Sequence, residues 1–169
     1  SNYLEQPYNS DLDFGTGDFS ISGWFEIDNI VGDKCLYYRG TALDTDDTVI
    51  YMNAANIKFR SHDTADIITA SNVLSANTWV NLVVARSSGV TSMYVNGAYV
   101  TSVANTDTMT RTEPLFIGVV ATGIAPFVGS IALFRTGATA PTAAQILEIY
   151  EAEKPLFQEN GKCVLHGTS

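Results

Sequence analysis

Polar and apolar residues alternate with period two along most of this 169-residue chain. Successive side chains of a strand point to opposite faces, so this spacing selects strands buried on one side. In "DFSISGWFEI", Phe19, Ile21, Phe25 and Ile27 share one face, and Ser20, Ser22, Trp24 and Glu26 the other. The runs "CLYYRG", "TVIYMNA", "IKFRS", "WVNLVVARS", "TSMYVNG", "AYVTSV", "PLFIGVV" and "GSIALFR" continue the series, each bounded by Gly, Pro, Asn, Asp or Ser. The pattern predicts an all-β chain.

Two local signals refine it. Asn96-Gly97 separates two strand runs and suits the paired positive φ angles of a type I′ hairpin turn. That hairpin would send Met93, Val95, Ala98 and Val100 to the core and Tyr94 and Tyr99 to the opposite face. In "PTAAQILEIYEAEKP" the spacing becomes helical: Thr142 caps, Gln145 completes a capping box, Ile146, Ile149 and Tyr150 form the apolar stripe, and Pro155 ends it. One short helix over 142–153 therefore packs on a β-sandwich. We assign residues 1–154 to one domain and 155–169 to an extension that packs on that domain or on a neighbouring subunit.

Composition narrows the partners. Formal charge is −9, from 18 acidic residues against 9 Lys and Arg, so the basic stripe that neutralises phosphates is missing. Nucleic acid is not an expected partner, nor is an anionic membrane surface, which leaves neutral ligands, cation-bridged ligands and proteins. The longest apolar runs are far too short for a spanning helix, so no membrane insertion is expected. No signal peptide is visible from "SNYLEQ" onward. Cys35 and Cys163 read as free thiols, and His62 and His166 lack the neighbours that a metal site needs.

Glu26 and Asp28 stand two apart on one strand, as in the Glu-x-Asp-x-Glu pattern of retaining glycosidases. That chemistry needs two carboxylates flanking the sugar bond, and here Ile30 or Val31 takes the place of the second Glu. No nucleophile elbow or phosphate-binding loop occurs either. The chain is expected to be a non-enzyme.

Two binding sites are candidates. "LDTDDT" gathers Asp44, Asp46 and Asp47, which form either a calcium loop or a plain acidic turn; calcium is the one cofactor considered. Opposite the predicted core face lie Tyr51, Tyr94 and Tyr99, with Asn53, Arg60, Lys58 and Asn96 near them by alternation, and Tyr37 with Arg39 forms a similar pair. Planar rings beside amide and guanidinium groups suit sugar binding, although a tyrosine ring also suits any pleated surface. Trp24 and Trp79 read as packing residues.

Several stretches, in order, resemble the laminin-G-like module of the concanavalin A-like jelly rolls: "LDFGTGDFSISGWF", "NTWVNLVVARSSG", "SMYVNGAYV", "LFIG", "FVGSIALFR" and "PTAAQILEIYEAEKP". The resemblance covers residues 3–152 and implies a two-sheet antiparallel jelly-roll sandwich with one short C-terminal helix. It also implies a binding module rather than a hydrolase, because Glu26 and Asp28 are not on the strand where related hydrolases carry their catalytic carboxylates. Many members hold an Asp where this chain has Ala132 and Leu133, and some use it for calcium. The closing stretch "EKPLFQENGKC" resembles segments that follow such modules in bacteriophage tail-fibre-like proteins. The resemblance implies a virion tail or extracellular location, a homotrimer, and a host-surface carbohydrate or polymer as partner. The alternative is a structural or oligomerisation module without a glycan ligand.

Overall fold

The computed structural model describes residues 3–41, 47–61 and 67–158. Among them, eleven strands form two antiparallel sheets. The strands are β1 (Leu4–Gln6), β2 (Phe19–Ile27), β3 (Asp33–Arg39), β4 (Thr48–Asn53), β5 (Asn56–Ser61), β6 (Ile68–Ala70), β7 (Trp79–Ser87), β8 (Val90–Val95), β9 (Ala98–Ala104), β10 (Leu115–Ile117) and β11 (Gly129–Gly137). One sheet runs β1-β10-β3-β4-β5-β6, the other β11-β2-β7-β8-β9. Helix α1 (Ala143–Glu153) follows, continued by a 3-10 turn over Lys154–Phe157. The expected two-sheet sandwich with one short C-terminal helix is the observed architecture.

The inward residues of both sheets interdigitate in one core. Phe19, Ile21, Phe25 and Ile27 meet Tyr37, Ile50, Phe59 and Ile68 from the facing sheet. The Asn96-Gly97 turn forms with φ of 50° and 75°. Met93 and Val95 are buried as its register requires, but Ala98 and Val100 are exposed. The reason is position: β9 is the edge of its sheet, at the end of the sandwich where the facing sheet finishes in the three-residue β6. A second departure concerns Tyr37 and Arg39, which point inward and are each 1% exposed. The ladder to β4 shifts between Cys35 and Tyr37, so Leu36 is an extra residue and simple alternation fails across it. Burial pushes the Tyr37 hydroxyl pKa up to about 12, against the lowering influence of Arg39 and Arg111.

Two buried arginines secure the loops at one end of the core. Arg39 donates to the carbonyls of Leu12 (2.6 Å) and Arg111 (2.7 Å), and to Asp13 Oδ1 (3.1 Å). Arg86 donates to the carbonyls of Gly15 (2.6 Å), Gly17 (2.8 Å) and Asp107 (2.6 Å), with its guanidinium over the Phe19 ring. These carbonyls belong to segments outside the strands, and fixed guanidinium donors supply the partners that a ladder would otherwise give.

The outer face of the five-stranded sheet carries the helix. Thr142 and Gln145 form the reciprocal capping box. Ile146 is buried against Val83 and Ala85, whereas Ile149 is 44% exposed, because it borders an open cavity between the helix and the sheet. Trp24 stacks on Tyr150 and on Phe157, with ring centroids 5.6 and 4.3 Å apart, and its Nε1 donates to Glu153 Oε2 at 2.7 Å. Phe157 also lies against Trp79 at 4.7 Å. Gly97 lets the hairpin tip meet the helix, since a Cβ there would stand 2.7 Å from Tyr150 Cδ1.

Asp13 offers a test of the arginine anchor. Burial raises its pKa, but the Arg111 backbone N–H, the Tyr8 hydroxyl and Arg39 together outweigh that and hold it below the ordinary carboxylate value. A depressed folded pKa contributes stability that is present above the unfolded value and is lost as pH falls through the folded one. Asp13→Asn should therefore cost about 2 kcal/mol at neutral pH, with the deficit shrinking below about pH 4 in urea unfolding.

Candidate functional site

Strands β3, β4 and β5 present their outward residues on the side of the six-stranded sheet away from the core. Register places Tyr51 between Cys35 and Lys58, Val49 between Tyr38 and Arg60, and Asn53 between Asp33 and Asn56. Tyr51 is half-buried, with Lys58 Nζ 5.7 Å from its ring centroid. The Asn53 amide donates to Asp33 Oδ1. Arg60 is held by both oxygens of Asp47, Nε to Oδ1 at 2.9 Å and Nη2 to Oδ2 at 2.7 Å, and the Asp47 side chain is fully buried. A doubly bonded guanidinium is fixed before any ligand arrives.

The wall beside these strands comes from the segment between β10 and β11. It turns back on itself through Gly123 N to Val120 O, and the Cys35 N–H donates to Ala125 O at 2.8 Å. Val120 packs on Cys35, Tyr38 and Val49. Between wall and sheet is a depression of about 120 Å³, lined by Asp33, Cys35, Val49, Tyr51, Arg60, Val120 and Ala125. Pockets that engulf a small ligand run to roughly 300 Å³ and more, so this one would take an edge or a chain end lying across it. Burial, with Asp47 nearby, pushes the Cys35 thiol pKa far up; it is a packing group and not a nucleophile at neutral pH.

The six predicted ligand residues divide between the sheets. Tyr51 and Arg60 line the depression and Asn53 stands beside it, bonded to the lining residue Asp33, whereas Tyr94, Asn96 and Tyr99 belong to the other sheet. Asn96 serves the hairpin, accepting from Asn81 N at 2.9 Å and donating to Asn81 O at 2.8 Å. Tyr94 packs with the helix cluster and meets Tyr99 edge-on; Tyr99 is 58% exposed and bonded to Ser102. Of the proposed calcium ligands, Asp47 faces Arg60, and Asp44 and Asp46 lie outside the described residues, as do His62, His166 and Cys163. Among the described residues no group of three His, Cys, Asp or Glu side chains could hold a metal. Glu26 and Asp28 are on the sheet opposite the depression, Glu26 beside Trp79 and Asp28 exposed beyond the strand end. The wall residues Val120 and Ala125 gave no signal in the sequence beyond an apolar loop.

The chain belongs to the Concanavalin A-like lectin/glucanases superfamily, whose laminin G-type profile matches residues 1–147. Among solved structures, a proposed carbohydrate binding protein from Bacteroides ovatus superposes with a TM-score of 0.70 at 15% identity, over 88% of this chain and 44% of that one. The CBM40 of the Ruminococcus gnavus IT-sialidase gives 0.70 at 11% identity, over 89% of this chain and 97% of that one. The heptameric SAP-like pentraxin of Limulus polyphemus gives 0.63 at 12% identity, over 88% and 81%. Identities this low establish the fold alone. The chain spans less than half the length of the Bacteroides ovatus protein and of the botulinum neurotoxin binding domains that it also matches. No curated protein sequence matches it.

Asp47→Ala should cost about 3 kcal/mol in urea unfolding, because the Arg60 guanidinium, 14% exposed, loses its bidentate carboxylate. Replacing Arg60 by Met in the same chain should recover most of the loss; equal stability of the single and double variants would disprove the pairing.

Proposed function

We propose that this chain is a non-catalytic module that binds a carbohydrate or related polymer on the surface of a bacterial host, as part of a phage tail-like protein. One observation carries the proposal: the outer face of β3–β5 offers an aromatic ring and a fixed guanidinium around one shallow, partly apolar depression, with the Asn53 amide at its border on Asp33. A sugar presents an apolar C–H face and a rim of hydroxyls, which a ring and anchored polar groups complement. The solved neighbours named for binding, the Bacteroides ovatus protein and the CBM40 among them, support the class. The tail context draws on the resemblance of "EKPLFQENGKC". Among the described residues Asp33 is the carboxylate that lines the depression, Asp47 is held by Arg60 and Glu26 stands on the other sheet, so these residues supply no pair flanking it as hydrolysis would require.

Purified protein should bind saturably to the cells or surface polysaccharide of one bacterial host and not to unrelated ones, with calcium or with chelator. Tyr51→Ala should weaken binding about tenfold, equivalent to about 1.4 kcal/mol, and Tyr99→Ala on the other sheet should leave it unchanged. Absence of saturable binding across a broad host panel would reject the proposal. Dependence on calcium would move the site to the Asp44 to Asp47 loop.

A second reading, a structural or assembly module, is favoured by the Phe157 anchor, which ties the end of the described chain to Trp24 and Trp79. Truncation after Lys154 would remove that ring and unsettle the helix, so the cut belongs after Gln158. Light scattering should then show a homo-oligomer, trimeric by the resemblance, becoming a monomer with unchanged melting temperature. An unchanged mass would exclude this role for 159–169.

A further inference from the structure

Helix α1 does not seal the outer face of the five-stranded sheet along its whole length. Between the helix and strands β2, β7 and β11 lies a cavity of about 270 Å³, lined by Ser22, Asn81, Val83, Arg135, Ile146 and Glu153, with Ile149 at its side. It adjoins a wider groove that shares Ser22, Arg135 and Ile149 and reaches Gln145 and Glu148.

Asn81 is the telling residue. It is 4% exposed, and its backbone N–H and C=O are both taken by Asn96, yet its carboxamide hydrogen-bonds no protein group. Its partner in register, Trp24, faces the helix, and so does Val83 two residues on, so the amide points into the cavity. The carboxamide is not sealed from solvent but opens onto the cavity, which leaves a donor and an acceptor ready for a ligand. The neighbouring Ser22 hydroxyl makes no side-chain hydrogen bond either.

Charge and shape define what fits. Arg135 Nη2 forms an ion pair with Glu153 Oε1 at 2.7 Å, while Glu153 Oε2 accepts from Trp24, so the acid is satisfied and the ion pair is locally neutral. Arg135 is half exposed, and its other N–H groups have no protein acceptor among the described residues. A charged ligand would have to compete with that pair. A neutral ring with adjacent hydroxyls would not, since Asn81, Ser22 and Arg135 supply donors and acceptors from the sheet, beside Val83, and Ile146 and Ile149 an apolar wall from the helix. The volume is near the roughly 300 Å³ lower end of small-ligand pockets, enough for one ring and not for a chain.

We propose that this cavity binds a single neutral sugar unit, a second subsite on the face opposite Tyr51 and Arg60. It rests on the glycan-binding reading for its ligand class and on Asn81 for its location. The test follows the Asn81 side-chain amide signal of ¹⁵N-labelled protein during titration with neutral hexoses and N-acetylhexosamines at millimolar concentration. One of them should shift that signal saturably. Asn81→Ala should weaken binding of the same sugar at least tenfold, read from neighbouring backbone signals, and Ile149→Trp, placed at an exposed position, should abolish the shift by filling the cavity. The proposal is overturned if no sugar moves the amide signal, or if the shift persists in Ile149→Trp. Should Asn81→Ala fail to fold, the tryptophan variant alone decides. Failure of the Tyr51 face is read separately, as lost binding to cells, and leaves this readout intact.

Discussion

Strand β2 is buried along its inner face and, at Trp24, on its outer face as well, and this double anchoring organises the molecule. Its inward residues Phe19, Ile21, Phe25 and Ile27 join the core between the sheets, and its outward Trp24 is only 2% exposed beneath the helix and the following turn. Fully burying one large apolar side chain contributes about 1.5–3 kcal/mol, so a strand anchored on both faces fixes its register firmly. Once β2 is fixed, β7 and β11 pair to either side, and Tyr150, Glu153 and Phe157 determine where the helix lies.

The opposite sheet is organised differently. There Cys35, Tyr38 and Val49 are buried on the outward side under the segment that carries Val120 and Ala125, and Tyr51 and Arg60 stand at the margin of that cover. The molecule thus has two partly covered outer faces, one under a helix and one under a loop, each with polar groups at the edge of its cover. Such edges are where a ligand meets a fixed apolar wall and pre-oriented donors together. Arg39 and Arg86 contribute from a distance, by holding the loops near the sandwich end through carbonyls that no strand could satisfy.

Local devices were legible in the sequence because their physics is local. Asn96-Gly97 formed its turn and Thr142 with Gln145 formed the capping box, since each depends on residues within one turn of chain. Alternation found the core face of β2 for the same reason. It failed at Tyr37 and Arg39, where one extra residue in β3 turns the following side chains inward, and at Ala98 and Val100, where the strand lies at a sheet edge. Alternation also assigns a side without saying which sheet it belongs to, so Tyr51 and Tyr94 looked like neighbours and are on different sheets. Asn81 was invisible for a related reason: a polar residue at an outward position looks solvated until a helix is placed over it.

A crystal structure of the protein soaked with the repeating unit of a polysaccharide that it binds would test the central claim most directly. The account predicts a sugar ring against Tyr51, within hydrogen-bonding distance of Arg60 or Asn53 and bordered by Val120 and Ala125. A ring bound at saturating concentration only on some other surface, with this depression left empty, would contradict it.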